Sequence, residues 1–184
     1  YHAKLFKDSV YAFEPSVLNL KWLARNIALN SVSDRVVVVP IPLNNSNGVA
    51  SFRLSNLTEG GALSSFGVNF GHDGRPHQAL MQYEMLGFTL DFLVKSGGIP
   101  EPPSMIKLDV DGIEHLILSG SLSVLRHPAL RSVIVEVDES FKELSSAVTK
   151  ILSESDLKFR EKRHGALFKS GEFANTYNQI WVRE

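Results

Sequence analysis

The sequence contains no cysteine, which excludes disulfide bridges, thiolate metal ligands and a cysteine nucleophile. It also lacks an excess of positive charge, since 19 Lys and Arg residues are balanced by 20 Asp and Glu residues. A nucleic-acid partner is therefore not expected, because proteins that bind polyanions usually carry a basic excess. No apolar run approaches the ~20 residues that span a bilayer, and the first residues do not follow the charged-then-apolar order of a secretory leader. These absences favour a cytoplasmic protein with no membrane span.

Size and composition predict one globular domain over residues 1–184. Of these residues 43% are apolar and 21% are charged, a balance typical of a chain with a full hydrophobic core. The first residue is Tyr1 rather than Met. We therefore expect the domain to be incomplete at its N-terminus, with further residues upstream in a longer parent polypeptide.

Short apolar runs alternate with longer stretches of helical periodicity. Buried strands are predicted for "VYAFE", "RVVVVPIP", "SMIKLDVDG" and "LRSVIVEVDES", and "GVASFRL" predicts a half-exposed strand. Helices are predicted over residues 16–30, over 113–126 with a break at Gly120, and over 141–153. Residues 56–82 lack periodicity and predict a loop, and two final strands predict an antiparallel edge. This order predicts an α/β fold with a mostly parallel sheet and helices on both faces.

Three of the predicted strands end in carboxylates. These are Glu14, the pair Asp109 and Asp111, and the pair Glu136 and Asp138. In an open parallel sheet the ligand crevice lies outside the carboxyl ends of the strands, so we expect the acids to converge along one edge. A carboxylate at such a tip can accept hydrogen bonds from both hydroxyls of a ribose, and its charge strengthens them. The alternative is that each acid simply favours the positive end of the helix that follows.

Other polar residues have a simpler interpretation beside a functional one. His72 and His77 lie in the predicted loop, where they can reach over the site or merely face solvent. Lys107 shares a strand face with Asp109 and is expected to form an ion pair with it. Glu114 is expected to be a surface acid in the first turn of a helix. The strand-end carboxylates would suit Mg²⁺ or Ca²⁺, but without a clearer ligand set no metal site is predicted.

Several segments carry a resemblance to a known family. The stretch "VYAFEPSVLNLKWLARNIALN" resembles the second strand and following helix of class I S-adenosylmethionine-dependent methyltransferases. The segments "TLDFL", "IKLDVDGIEHLILSG" and "VIVEVDE" resemble, in order and spacing, the motifs of the FkbM family, although Asp111 stands where that family usually has Glu. The resemblance implies a Rossmann-like fold, S-adenosyl-L-methionine as cofactor, and methyl transfer to a hydroxyl oxygen of a small molecule, sugar or lipid-linked acceptor.

The resemblance also implies which residues bind the cofactor. Glu14, kept extended by Pro15, is implied to hold the ribose hydroxyls. Leu43 and Asn44 are implied to flank the adenine, although related enzymes often have Asp in place of this Asn. Asp109 is implied to lie beside the methyl donor.

Asp109, with Glu136 as a second candidate, is the predicted catalytic residue, which would orient the acceptor hydroxyl or take its proton. The family's glycine-rich turn near the methionine half of the cofactor has no counterpart here, since no glycine precedes Gly48. Two alternatives therefore stay open. One is a non-catalytic Rossmann-like module that binds a nucleotide or a partner, and the other is an NAD-dependent oxidoreductase.

Overall fold

The computed structural model describes residues 1–76, 78–164, 171 and 173–184. His77, one of the two loop histidines that could reach over the site or face solvent, lies outside the described residues. The helices are α1 (His2–Phe6), α2 (Val17–Leu29), α3 (Leu90–Lys95), α4 (Glu114–Ser119), α5 (Leu122–Arg126) and α6 (Lys142–Ser153). The strands are β1 (Val10–Phe13), β2 (Val36–Val39), β3 (Gly48–Leu54), β4 (Ser64–Phe66), β5 (Met81–Gly87), β6 (Met105–Leu108), β7 (Ser132–Asp138), β8 (Lys158–Arg163) and β9 (Thr176–Val182). None of the helices in these ranges combines the length and apolarity needed to cross a bilayer.

The strands form three sheets within the described ranges. β1 pairs with β2 in parallel, and β3 lies antiparallel between β4 and β5. The third sheet has the order β6-β7-β9-β8, in which β6 and β7 are parallel and β9 is antiparallel to both β7 and β8. The predicted α/β class and antiparallel C-terminal edge are confirmed. The mostly parallel sheet is not what the hydrogen bonds show, because only two of these six pairings are parallel.

Part of this difference arises in residues 56–82, for which the sequence predicts a loop. β4 lies inside this segment and β5 begins in it, and both pair with β3. In β5 the side chains of Tyr83 and Met85 are partly buried, whereas those of Gln82 and Glu84 are exposed. This alternation is the ordinary signal of a half-exposed strand, but the neighbouring glycines favour the loop interpretation.

The main core packs β7 against helices α4 and α6. Val133 and Val135 of β7 are completely buried. α6 contributes Leu144, Val148 and Leu152, which are spaced four residues apart on one stripe and are at most 1% exposed. Burying each of these side chains stabilises the fold by about 1.5–3 kcal/mol. This well-packed core therefore holds the C-terminal ends of β6 and β7 in fixed positions.

The predicted break at Gly120 is confirmed, since α4 ends at Ser119 and α5 begins at Leu122. A Cβ atom added to Gly120 would lie only 2.3 Å from the carbonyl oxygen of Asn44. Only glycine therefore lets the end of α4 approach the loop after β2 so closely.

β1 and β2 are predicted to be buried, but the structure leaves them half-exposed. Val37 and Val38 of β2 are 46% and 37% exposed, and α2 has no buried residue. An apolar run indicates a preference for burial, whereas burial itself depends on what packs against the strand. Within the described ranges β1 and β2 form a sheet of their own, which leaves an open space between β1 and β6.

Candidate functional site

A cavity of about 830 Å³ separates β1 from β6. These two strands form opposite walls, and the buried side chains of Leu90, Ile99 and Leu118 line other parts of it. Pro15 and Leu43 also contribute to the lining. Asp109 lines it too, so three of the residues predicted to bind a cofactor border this space, whose walls are mainly apolar.

The carboxylates that follow the strands lie close together at one end of the cavity. The charge of Glu14, after β1, interacts with that of Asp111, after β6. Asp111 in turn interacts with Asp109, and Asp109 is hydrogen-bonded to Glu136 of β7. The convergence that the sequence predicts for these strand ends is thus present in the structure. It joins β1, which belongs to one sheet, to β6 and β7 of another.

Glu14 is fixed at the tip of β1 by its neighbours. Burial raises the pKa of Glu14, and the negative charge of Asp111 raises it further. The N–H of Ser16 donates to Glu14 Oε1 at 2.8 Å, and together with a hydrogen bond from the Asn19 side chain it lowers that pKa. Ser16 occupies the N-cap position of α2, but its own side chain forms no capping bond. The Glu14 carboxylate, by accepting from Ser16, satisfies one of the free N–H groups there.

Asp109 and Glu136 form a hydrogen-bonded carboxyl pair. Burial raises the pKa of Glu136 to about 7, and the hydrogen bond and negative charge of Asp109 act in the same direction. Lys107 and Asn178 lower it: Lys107 Nζ lies 2.9 Å from Asp109 Oδ2, and Asn178 Nδ2 donates to Glu136 Oε1 at 3.3 Å. Lys107 Nζ also donates to Asn178 Oδ1 at 2.5 Å. The predicted Lys107–Asp109 ion pair is confirmed, and Glu136 can hold a proton near neutral pH.

Asp111 is covered by the segment predicted as a loop. The N–H of Ser64 donates to Asp111 Oδ2 at 2.8 Å. Burial raises the pKa of Asp111, whereas this bond, a second one from Leu63 and the nearby His72 lower it. Gly112 has a φ of +101°, and a Cβ atom there would lie 2.5 Å from the carbonyl oxygen of Gly71. The loop backbone therefore contacts the Asp111–Gly112 turn directly. This contact brings His72 to the rim, by which we mean the end of the cavity where the carboxylates of Glu14, Asp109 and Asp111 meet.

Glu114 is not the surface acid that the sequence predicts. It is only 3% exposed, although it lies in the first turn of α4. Burial raises its pKa to about 8, and the charge of Asp111 contributes. Glu114 is consequently protonated near neutral pH, which keeps a further negative charge away from the rim.

Two predicted residues use their side chains elsewhere. Asn44 does not line the cavity: its Nδ2 donates to the carbonyl oxygen of Phe66 at 3.4 Å, and its Oδ1 accepts from the N–H of Asn45 at 2.7 Å. Asp138 accepts hydrogen bonds from both the N–H and the hydroxyl of Ser140, at 2.8 and 2.6 Å. Within the described ranges no group of three or more His, Asp or Glu side chains is arranged to hold a metal ion.

The structure adds residues that sequence reasoning misses. Asn178 lies directly opposite Glu136 in the β7–β9 register, 42 residues away along the chain. Tyr83 of β5 lies near Glu14: burial raises the pKa of Tyr83, and the charge of Glu14 raises it further. The strand pattern predicts that β9 exists, but it does not predict which β9 residue faces Glu136.

Comparison with known proteins places the chain in a family. The methyltransferase FkbM domain family matches residues 3–162. A crystal structure described as methyltransferase FkbM from Methylobacillus flagellatus has a similar fold, with a TM-score of 0.61 and 16% sequence identity. That match covers 95% of this chain, whereas this chain spans only 36% of the other. Comparison with curated proteins found no match. The chain belongs to the FkbM methyltransferase domain family.

Proposed function

We propose that the protein transfers a methyl group from S-adenosyl-L-methionine to a hydroxyl oxygen of a small molecule, sugar or lipid-linked acceptor. The observation that carries this proposal is the convergence of strand-end carboxylates beside an apolar cavity, in a chain of the FkbM family. When bound, S-adenosylmethionine supplies a methyl group on a positively charged sulfur. An acidic rim attracts such a charge, and a mainly apolar cavity with few polar groups is typical of small-molecule sites.

The residues at the cavity fit the adenosine half of this cofactor. Glu14 is anchored by Ser16, so its carboxylate is fixed before any ribose hydroxyl donates to it. Pro15 and Leu43 provide apolar surface beside it. Asn44 acts indirectly, since its hydrogen bonds hold the loop that carries Leu43.

The Asp109–Glu136 pair is placed to take the proton of the acceptor. S-adenosylmethionine would supply the methyl group to the acceptor oxygen and leave as its demethylated form, and the acceptor would release its hydroxyl proton. Because the pKa of Glu136 is about 7, Glu136 can receive this proton near neutral pH. Lys107 and Asn178 hold the two carboxyl groups in position, which supports the alignment that an in-line displacement requires.

We extend the proposal to the architecture. The parallel pairs β1-β2 and β6-β7 end at the same rim, and we propose that they are two halves of a Rossmann-like arrangement. The cofactor would then lie outside the carboxyl ends of both pairs.

Glu14→Gln in the full-length protein is expected to weaken the binding of labelled S-adenosylmethionine about 10- to 100-fold. Hydrogen bonds to a charged acceptor contribute ~1.5–3 kcal/mol, and the substitution removes the charge. Equilibrium dialysis measures the dissociation constant. The matched control is Glu154→Gln, which changes an exposed glutamate at the end of α6 and should leave binding unchanged.

The two possible failures have different meanings. If the wild-type protein binds no S-adenosylmethionine, the proposed activity is wrong and a non-catalytic module is favoured. If Glu14→Gln binds as tightly as wild type, the cofactor is retained but Glu14 does not hold its ribose.

A further inference from the structure

The side chain of Asn19, in the first turn of α2, joins the carboxylate of Glu14 to a distant part of the chain. Its Oδ1 accepts from the N–H of Gly60 at 3.0 Å, and its Nδ2 donates to the carbonyl oxygen of Gly61 at 3.1 Å. A backbone N–H only donates and a backbone carbonyl only accepts, so these two bonds fix the orientation of the Asn19 amide. The remaining hydrogen on Nδ2 is available to the Glu14 carboxylate, to which the Asn19 side chain is hydrogen-bonded.

A few residues later, the same part of the chain reaches Asp111. The N–H groups of Leu63 and Ser64 both donate to the Asp111 carboxylate, that of Ser64 at 2.8 Å. Leu63 has a φ of +68°, a left-handed conformation that is unfavourable for any residue with a Cβ atom. Such a turn makes consecutive N–H groups converge on one anion. The strained backbone at Leu63 therefore has an identifiable purpose, which is to hold the Asp111 carboxylate.

Residues 60–64, which we call the bridge segment, thus contact two rim carboxylates. Glu14 follows β1 and Asp111 follows β6, and these strands belong to different sheets. The neighbouring ion pair between Lys21 and Glu59, at 2.9 Å, is 67% and 45% exposed, so it adds little to this link. The bonds made by Asn19 are consequently the principal connection between the bridge segment and Glu14.

We propose that Asn19 is a positioning residue of the cofactor site, which fixes the Glu14 carboxylate relative to Asp111 through the bridge segment. Because Glu14 is taken to hold the ribose, this role of Asn19 rests on the proposed function. An amide suits the position, since it donates to Glu14 and to the bridge segment without adding a charge beside two acids. A carboxylate held in advance loses less conformational freedom when a ligand binds to it.

Asn19→Asp separates the contact with Glu14 from the shape of the side chain. Aspartate can still accept from Gly60, but it cannot donate to Gly61 or to Glu14, and it adds a negative charge. NMR titration of the Glu14 carboxyl in the ligand-free, full-length protein is expected to show a pKa above that of wild type. The reason is that the ionised carboxylate loses a donor and gains a like charge.

The other titratable groups that face Glu14 are unchanged in this variant. They are Asp111, which follows β6, and Tyr83 of β5. The matched control is Asn26→Asp, which makes the same exchange at an exposed position two turns further along α2 and should leave the Glu14 titration as in wild type.

Asn19→Ala is a second test variant, because it removes the same bonds without adding a charge and alanine favours a helix. It should raise the pKa of Glu14 by less than Asn19→Asp does. An unchanged pKa of Glu14 in both Asn19 variants would overturn the proposal.

A double-mutant cycle tests whether Asn19 acts through Glu14. Equilibrium dialysis with labelled S-adenosylmethionine compares wild type, Asn19→Asp, Glu14→Gln and the double variant. Asn19→Asp is expected to weaken binding about tenfold in the wild-type background, but less than about twofold in the Glu14→Gln background, where its route to the ligand is already lost. Equal losses in both backgrounds would show that Asn19 acts independently of Glu14, which would overturn the proposal.

Failure of the proposed function gives a different result. A wild-type protein that binds no S-adenosylmethionine would overturn the cofactor assignment and, with it, the role of Asn19 at a cofactor site. The titration of Glu14 would still show whether Asn19 and Glu14 are joined. Tight binding by wild type together with an additive cycle would overturn the role of Asn19 alone.

Discussion

At the scale of single residues, two glutamates that look ordinary in the sequence ionise in the neutral range. Burial raises the pKa of Glu136 to about 7 and that of Glu114 to about 8. Neither pKa shift can be predicted from the adjacent residues in the sequence, because each depends on contacts in the folded structure. Glu136 shares its environment with Asp109, Lys107 and Asn178, which come from two other strands. The residue types at the rim are predictable, but their protonation is not.

The rate of the proposed methyl transfer is expected to rise with pH and to level off above an inflection near pH 7, where Glu136 loses its proton. Glu136→Gln removes the group that titrates, so the inflection should disappear and the rate should fall about 10²-fold or more. The pH profile of kcat measures both effects. Glu161→Gln, which changes a partly exposed glutamate of β8 outside the site, should keep the wild-type profile. An unchanged inflection in Glu136→Gln would show that another group takes the proton.

At the scale of elements, the turn after β6 and the loop above it behave as one unit. Gly112 has a positive φ, and the loop backbone at Gly71 leaves no room for a side chain there. Asp111 is hydrogen-bonded to Ser64 of β4 in the same unit. The "DG" turn is visible in the sequence, whereas its contact with a segment some 40 residues earlier is not.

Gly112→Ala is expected to lower the free energy of unfolding by about 2–4 kcal/mol, since it adds left-handed strain and a backbone clash. Gly97→Ala is the matched control, because Gly97 has a φ of +79° but no atom within 4 Å of an added Cβ. That variant should lose only about 1–2 kcal/mol, from strain alone. Urea denaturation compares them. Equal losses in the two variants would show that the loop moves aside freely.

The elements themselves are largely predictable. The helical pattern over residues 16–30 corresponds to α2, and the break at Gly120 separates α4 from α5 as expected. The sequence pattern misses β5 because its alternation of apolar and polar residues lies among turn-forming residues. It misses the exposure of β2 because an apolar run does not show which elements pack against the strand. The local sequence pattern therefore predicts that an element exists and whether it is a helix or a strand, whereas tertiary packing determines how far the element is buried.

At the scale of the whole molecule, the buried acids couple folding to pH. The free energy of unfolding is expected to fall as pH rises from about 5 to about 8. Glu136 and Glu114 have pKa values of about 7 and 8 in the folded protein, against an ordinary value of 4.5. Between these values the folded protein holds protons that the unfolded chain has released, so stability decreases with rising pH.

Thermal unfolding at several pH values measures this decline. Glu114→Gln carries no charge at any pH, so its melting temperature should fall less steeply than that of wild type. Glu154→Gln, whose carboxyl is exposed, should retain the full decline. If Glu114→Gln is as steep as wild type, Glu114 does not contribute to the pH dependence.

The convergence of the strand-end carboxylates is the feature of the whole molecule that the sequence predicts best. Strands that run in the same direction must end at the same rim, so Glu14 and Asp109 are expected together before any coordinate is known. The position of Asn44 outside the cavity depends on its hydrogen bond to Phe66, 22 residues along the chain, for which the sequence carries no local signal.

The contact between the covering loop and the Asp111 carboxylate has a consequence for how specificity can diversify. Ser64 belongs to the segment that roofs the rim, and its N–H also stabilises the negative form of Asp111. An insertion or deletion in this covering loop would change the shape of the cavity entrance for an acceptor. It would also change the pKa of the Asp111 carboxyl beneath the loop. For the proposed methyl transfer, a change of acceptor should therefore be accompanied by a change in the optimal pH.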